Sequence, residues 1–196
     1  MPLQINEWPE FSGLASAMTI GVFDGVHLGH QALIERIVRR GPNPTVISFR
    51  ENPKKSISPG SFEGDVFNLE QKLAAFDSLG VRHLILIDFS ENFCKMDGRE
   101  FFEILAEKGG MVYLAIGEDF RCGFRKETDA ESIKLMNEER GIPTEIVSSV
   151  SLPDEFGGGP VSSSRLRSAI LSGDIELAQA MMGRSFIFLE RQPTGV

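Results

Sequence analysis

Five short apolar runs, separated by segments with helical spacing, constrain this chain more than anything else in it. Ala17-Met18-Thr19-Ile20-Gly21-Val22-Phe23 reads as a buried strand, and Thr45-Val46-Ile47-Ser48-Phe49, His83-Leu84-Ile85-Leu86-Ile87, Met111 to Ile116 and Thr144-Glu145-Ile146-Val147 as four further strands. Between the first two, Leu33, Ile34, Ile37 and Val38 fall on one face of a helix expected over Gln31 to Arg40. Asn68 followed by Gln71 is a capping-box pattern that opens a helix to about Leu79, where Gly80 ends it. Asp97 caps a helix through Phe101, Phe102 and Leu105, and Glu131 to Arg140 makes a polar helix before Gly141. Strands alternating with helices of this length imply right-handed crossovers and a doubly wound parallel sheet with helices on both faces.

The rest of the chain is punctuation and an appendage. Asn52 to Gly64 is rich in Pro, Lys, Ser and Gly and reads as a loop. After Gly157-Gly158-Gly159-Pro160, Ser162 opens a helix through Leu171 and Asp174 caps another through Met182, where Met181 and Met182 read as core filling. At 196 residues the chain is one domain, expected over 1–183, with a tail over 184–196 that carries Phe186, Ile187, Phe188 and Leu189 but no strand pattern. The net charge of −8 gives no long-range positive field to gather nucleic acid or an anionic membrane, so an anionic ligand needs locally aimed donors. No apolar stretch has the length of a membrane helix, and the N-terminus lacks the basic and apolar regions of a secretory signal; a cytoplasmic protein is expected. Cys94 and Cys122 match no metal or redox spacing.

The chemistry concentrates where the first of these strands ends. In an open α/β sheet, ligands bind outside the carboxyl ends of the strands. There the chain reads Gly21-Val22-Phe23-Asp24-Gly25-Val26-His27-Leu28-Gly29-His30. Gly25 and Gly29 let the backbone turn and a ligand approach, and His27 and His30 are spaced to face one pocket at a helix start whose free amides favour an anion. An i, i+3 histidine pair with no third ligand nearby is a poor zinc site. His83, at a strand start, reads as structural. Ser162, Ser163 and Ser164 ahead of a helix, with Arg167 one turn on, form a second anion-binding helix start; a solvated surface charge is the rival reading of Arg167.

His27-Leu28-Gly29-His30 resembles the HxGH signature of adenylyl- and cytidylyltransferases, and with Phe23-Asp24-Gly25-Val26 ahead of it resembles the bacterial FAD synthetase family. Gly117-Glu118-Asp119-Phe120-Arg121-Cys122-Gly123 is similar to that family's G-x-[ND]-F-x-F-G loop. Ser162-Ser163-Ser164-Arg165-Leu166-Arg167 is similar to its S-S-T-x-x-R motif, followed by Gly173-Asp174. Phe89-Ser90-Glu91-Asn92-Phe93 and Glu100-Phe101-Phe102 also follow the pattern. There are departures: Asn52 stands for the histidine of a Phe-[DE]-Pro-His-Pro stretch, Cys122 for an aromatic, and Ser164 for a threonine.

The resemblance implies a Rossmann-like nucleotidyltransferase fold and the reaction of FMN with Mg²⁺-bound ATP to give FAD and pyrophosphate. It implies catalytic roles for His27, His30 and Arg167, with Arg167 forked onto the β- and γ-phosphates. ATP is then expected against Gly21, Phe23, Asp24, Gly25, Gly29 and Ser162 to Ser164, and FMN against Asn52, Asp119, Phe120, Arg121 and Gly123. Asp24 either orients an imidazole or helps hold Mg²⁺, which is otherwise ligated by phosphates. Arg125 is a further candidate for the FMN phosphate, while Phe120 and Phe124 read as packing. Family members continue into a riboflavin kinase barrel, so the tail over 184–196 falls where that domain begins, and this chain is expected not to phosphorylate riboflavin. The alternatives are transfer to another small phosphate acceptor and a non-catalytic flavin or nucleotide binder.

Overall fold

The computed structural model describes residues 2–90 and 92–183. Its elements in chain order are strands Gln4–Glu7 (β1) and Ser16–Ile20 (β2), helix Leu28–Arg40 (α1), strand Thr45–Phe49 (β3), and helices Lys54–Ile57 (α2) and Leu69–Ser78 (α3). Strand His83–Ile87 (β4), helix Gly98–Glu107 (α4), strands Met111–Gly117 (β5), Arg121–Cys122 (β6) and Thr128–Asp129 (β7), and helix Ala130–Glu138 (α5) follow. Strand Thr144–Val147 (β8) and helices Ser163–Ser172 (α6) and Ile175–Met182 (α7) complete it. The tail over 184–196 lies outside the described residues.

Six strands form one sheet in the order β1-β4-β3-β2-β5-β8, and every pair is parallel. Side chains alternate between its faces with the strand period of two. Ala17, Val46, Leu84, Leu86, Tyr113 and Ala115 pack on one side against α1, α3, α6 and α7. Met18, Ile20, Ile47, Ile85, Ile87, Leu114 and Ile116 pack on the other against α4 and α5. The doubly wound parallel sheet expected from the sequence is therefore present. From β2 the chain winds outward through β3 to β4, then crosses back to β5 on β2's other side, so the strand order reverses at β2. That reversal opens a crevice at the carboxyl ends of β2 and β5.

Helix starts follow the capping residues. Asn68 and Gln71 form the reciprocal capping box, and Asp97, Asp129, Ser162 and Asp174 each accept an amide three residues on. Each such bond contributes about 1 kcal/mol.

Several expectations need correction. The first apolar run leaves the sheet at Ile20 rather than Phe23, and α1 begins at Leu28, ahead of Gln31. Val38 is exposed, because α1 buries only the narrower stripe of Leu33, Ile34 and Ile37. The loop after Asn52 contains α2 and a 3₁₀ turn over Pro59–Ser61. The edge strand β1 and the antiparallel pair β6–β7 carry no readable pattern, being mostly exposed or two residues long.

Candidate active site

Every segment of the candidate site leaves a strand end or opens a helix on the same edge of the sheet. After β2 the backbone doubles back through Phe23, Gly25 and Val26 at φ of 53°, 80° and 40°. Positive φ is unfavourable for Phe and for β-branched Val. Both side chains are fully buried in the core, so packing holds the turn in place. Gly25 is required twice over, since a Cβ there would also lie 2.7 Å from Leu166 Cδ2 and 3.1 Å from Val66 Cγ1. Gly29 instead sits in the first turn of α1, not at a bend; a Cβ there would press on the His27 ring at 3.3 Å.

The turn aims Asp24 inward. Its Oδ1 accepts the amides of Val66 (2.7 Å) and Phe67 (3.1 Å), and its Oδ2 accepts from Arg167 Nη2 at 2.7 Å. Arg167 is buried, which removes the solvated-charge reading, and its Nη1 lies 3.8 Å from Glu63. Of the two roles open to Asp24, orienting an imidazole is not seen. Magnesium fits no better: three donors already occupy the carboxylate, and among the described residues no group of three or more His, Cys, Asp or Glu is placed to hold a metal.

His27 is the N-cap residue of α1 and His30 lies in its first turn, so the rings stack at 3.7 Å with 17° between planes. His27 Nε2 is 3.4 Å from Ser163 Oγ, which itself donates to the Asp24 carbonyl oxygen at 3.0 Å. Neither Nδ1 has a partner. Burial pushes His27 down to about 4, and burial, with the nearby charges of His27 and Lys72, holds His30 well below the usual imidazole range. Both rings are neutral at pH 7.

The unfolded chain protonates these histidines from about pH 6.5 downward, while folded His27 resists until about 4. Stability is accordingly present above that window and lost as pH falls through it, by on the order of 3 kcal/mol for His27 alone. Urea unfolding at several pH values should show wild type losing stability across this range and His27→Gln losing less. Parallel curves would place the ring in water.

A cleft of about 440 Å³ opens beside this turn. Its walls include Gly21, Asp24, Ser163 and Arg167 together with Asn52, Asp119, Phe120, Arg121, Cys122 and Gly123. Phe49, Phe89 and Phe93, packed edge to face at 5.8–6.1 Å, line it with Phe101. His27 and His30 do not line it; His27 lies against Ser163, and His30 stacks on His27. Gly25 and Phe23 build the turn, and Gly29 the start of α1, rather than the wall. Ser162 caps α6, and Ser164 is exposed with no side-chain bond, so Ser163 alone of the three reaches the cleft. Asn52 is turned onto Asp65 (3.0 Å) and accepts the Lys54 amide at 3.1 Å, a loop-building role. Cys122 is pushed up to about 12 by burial and by Glu127, so the thiol stays protonated. Arg121 is exposed at the rim. Arg125 lies outside the cleft, its guanidinium over the exposed Phe124, which is therefore not core packing. His83 is buried in β4, away from the cleft.

Sequence reasoning passed over Phe49 and Lys72. Lys72 shares the buried stripe of α3 with Leu69, Leu73 and Phe76, and a lysine at such a position was the available signal.

A wholly parallel sheet, with a histidine-bearing turn and a second helix start meeting at its switch point, defines an α/β domain of the nucleotidyltransferase type. The FAD synthetase family model matches residues 12–165, and the chain belongs to that family. A bifunctional riboflavin kinase/FMN adenylyltransferase of Pseudomonas fluorescens is 30% identical over 186 residues, covering 92% of this chain and 58% of its own length. The protein of the same name from Escherichia coli (strain K12) is 28% identical over 174 residues, 86% of this chain and 54% of its own. The chain thus spans a little over half the length of these relatives. Among solved structures, a Streptococcus pneumoniae protein described as a macrolide-efflux protein superposes with a TM-score of 0.79 at 25% identity, over 92% of this chain and 60% of that one. A pantoate-beta-alanine ligase from Francisella tularensis shares the fold at a TM-score of 0.53 and 16% identity, over 90% of this chain and 74% of its own. Among the described residues no helix is long and apolar enough to cross a membrane.

Proposed function

We propose that this chain transfers the adenylyl group of ATP to FMN, giving FAD and pyrophosphate. The observation that carries the reading is one cleft lined both by an aromatic wall and by the Arg167, Ser163 and Asp24 cluster, in a member of the FAD synthetase family. A planar ring system suits Phe49, Phe89 and Phe93, and a polyphosphate suits Arg167 with the α6 amides.

The FMN phosphate oxygen attacks the α-phosphorus, the bond from α-phosphorus to the bridging oxygen breaks, and pyrophosphate leaves with the electron pair. No proton transfer is obligatory, so positioning and charge dispersal supply the catalysis. Arg167 forks onto the β- and γ-phosphates, which carry the rising charge. His27, neutral and shielded, supports the Ser163 hydroxyl from behind, and His30, stacked on it, holds that ring in place. Mg²⁺ enters as part of the nucleotide. Asp119, Phe120, Arg121 and Gly123 bound the acceptor half, with Asn52 shaping its floor. Small molecules are the proposed partners, and the place of action is the cytoplasm.

The test incubates the chain with Mg-ATP and FMN and separates products by chromatography. FAD and pyrophosphate in equal amounts are expected. A riboflavin arm reads whether the chain carries kinase activity. A phosphopantetheine arm reads the competing acceptor: product there and none from FMN would overturn the proposal.

A further inference from the structure

Lysine is seldom buried without a carboxylate in hand. Lys72 on α3 is 7% exposed, and its Nζ donates to the carbonyl oxygen of Phe49 at 3.2 Å, the last residue of β3. An ammonium has three donors, so this bond leaves two unspent. Lys72 lines a second, polar cavity of about 310 Å³ that shares Val22, Asp24 and Asn52 with the main cleft.

The charges around it come from every neighbouring element. Asp24 follows β2, His30 belongs to α1, and Asp65 precedes α3. Arg50 and Glu51 follow β3, and Lys55 of α2 lies 3.3 Å from Asp65 and 3.9 Å from Glu51. Arg167 of α6 holds Asp24, with exposed Glu63 at 3.8 Å. Asp65 is thus already engaged by Lys55 and Asn52. What remains buried is Asp24 with two cations, Arg167 and Lys72, beside two neutral imidazoles. One positive charge has no buried counterion.

We infer, on the adenylyl-transfer reading above, that Lys72 is a positioning residue for the polyphosphate. Its buried ammonium shares Asp24 with Arg167, so the cleft around Arg167 keeps a surplus positive charge that the incoming nucleotide neutralises. Without Lys72, Asp24 and Arg167 form a self-satisfied neutral pair with weaker pull on an anion.

A proton count follows. Burial draws Lys72 down to about 8, against the pull of Asp24 and Asp65. A polyphosphate at Arg167 favours the charged amine and raises it again. Near pH 8 the free protein holds the amine about half protonated, so ATP binding takes up about half a proton, and this uptake fades about two units lower. His27 and His30 lie too far below that pH to contribute, and Cys122 too far above.

The experiment is calorimetric titration of Mg-ATP into the full chain near pH 8, in buffers of different ionisation enthalpy, with FAD formation assayed in parallel. Wild type is expected to take up about half a proton. Lys72→Arg keeps the charge at all working pH values, so it should bind ATP within about threefold of wild type with no uptake. Lys72→Met should bind ATP about tenfold more weakly, the equivalent of one pK unit, while FMN binding changes less than about twofold. A wild-type protein that makes FAD and binds ATP without uptake overturns the role of Lys72 and leaves adenylyl transfer standing, whether or not either variant folds. Equal weakening of ATP and FMN in Lys72→Met makes the residue merely structural. No ATP binding and no FAD overturns both readings.

Discussion

His30→Ala is expected to lower kcat for FAD formation by about 10²-fold or more, the scale of losing one preorganised donor, because His30 stacks on His27 and so fixes the ring that meets Ser163 at the cleft wall. The neutral state of the ring is what makes it useful. A charged imidazole would demand a counterion in this buried setting, whereas a neutral one, stacked on His27 at 3.7 Å and beside Phe23 at 5.1 Å, is fixed before substrate arrives. Removing the ring also leaves a gap between buried neighbours, so His30→Ala should melt lower than wild type. The two effects separate by comparison with His30→Gln, which fills much of the volume and keeps a donor on a floppier stem. Steady-state kinetics beside melting curves should show His30→Gln regaining most of the stability but only part of the turnover, with the loss in kcat rather than KM. Turnover that simply tracks melting temperature in both variants would leave the histidine a packing residue.

How much of this was legible in advance depended on how local the cause is. His83–Ile87 and Thr144–Val147 form strands over the residues read as strands, because apolar β-branched runs closed by turn residues announce themselves within a few positions. The capped helix starts were equally plain, since a cap and the amide it accepts lie three residues apart. β1 was hidden because three of its four residues are exposed, so its partner β4, some eighty residues on, determines it instead of any internal pattern. The site divides the same way. His27 with His30, Asp119 to Gly123 and Ser162 to Arg167 are contiguous segments, and each could be read as a unit. Nothing in them disclosed that Asp24 accepts the amides of Val66 and Phe67, that Ser163 meets His27, or that Lys72 donates to the carbonyl oxygen of Phe49. Those contacts join residues more than twenty apart in sequence, and only the fold brings them together.

Arg167→Ala should weaken ATP and pyrophosphate binding by at least an order of magnitude more than FMN binding, and should cost stability as well. Its Nη2 bond to Asp24 is 2.7 Å long and both side chains are buried. Truncating the arginine leaves that carboxylate with the Val66 and Phe67 amides and no adjacent guanidinium. Breaking a buried pair from one side typically costs about 3–5 kcal/mol, more than the intact pair contributes. A variant that is merely unstable would lose both ligands together, so the double variant Asp24→Asn, Arg167→Ala is the informative control. Neutralising the acid should recover only part of that stability, because Lys72 then loses its buried counterion, while ATP affinity stays low because the fork for the β- and γ-phosphates is still missing. Arg167→Lys keeps the charge but only one donor direction, so it should restore part of the ATP affinity and little of the turnover. Separate calorimetric titrations of ATP, pyrophosphate and FMN into each variant decide the matter. If the double variant binds ATP as wild type does, Arg167 serves only to neutralise Asp24, and the polyphosphate is held from another helix.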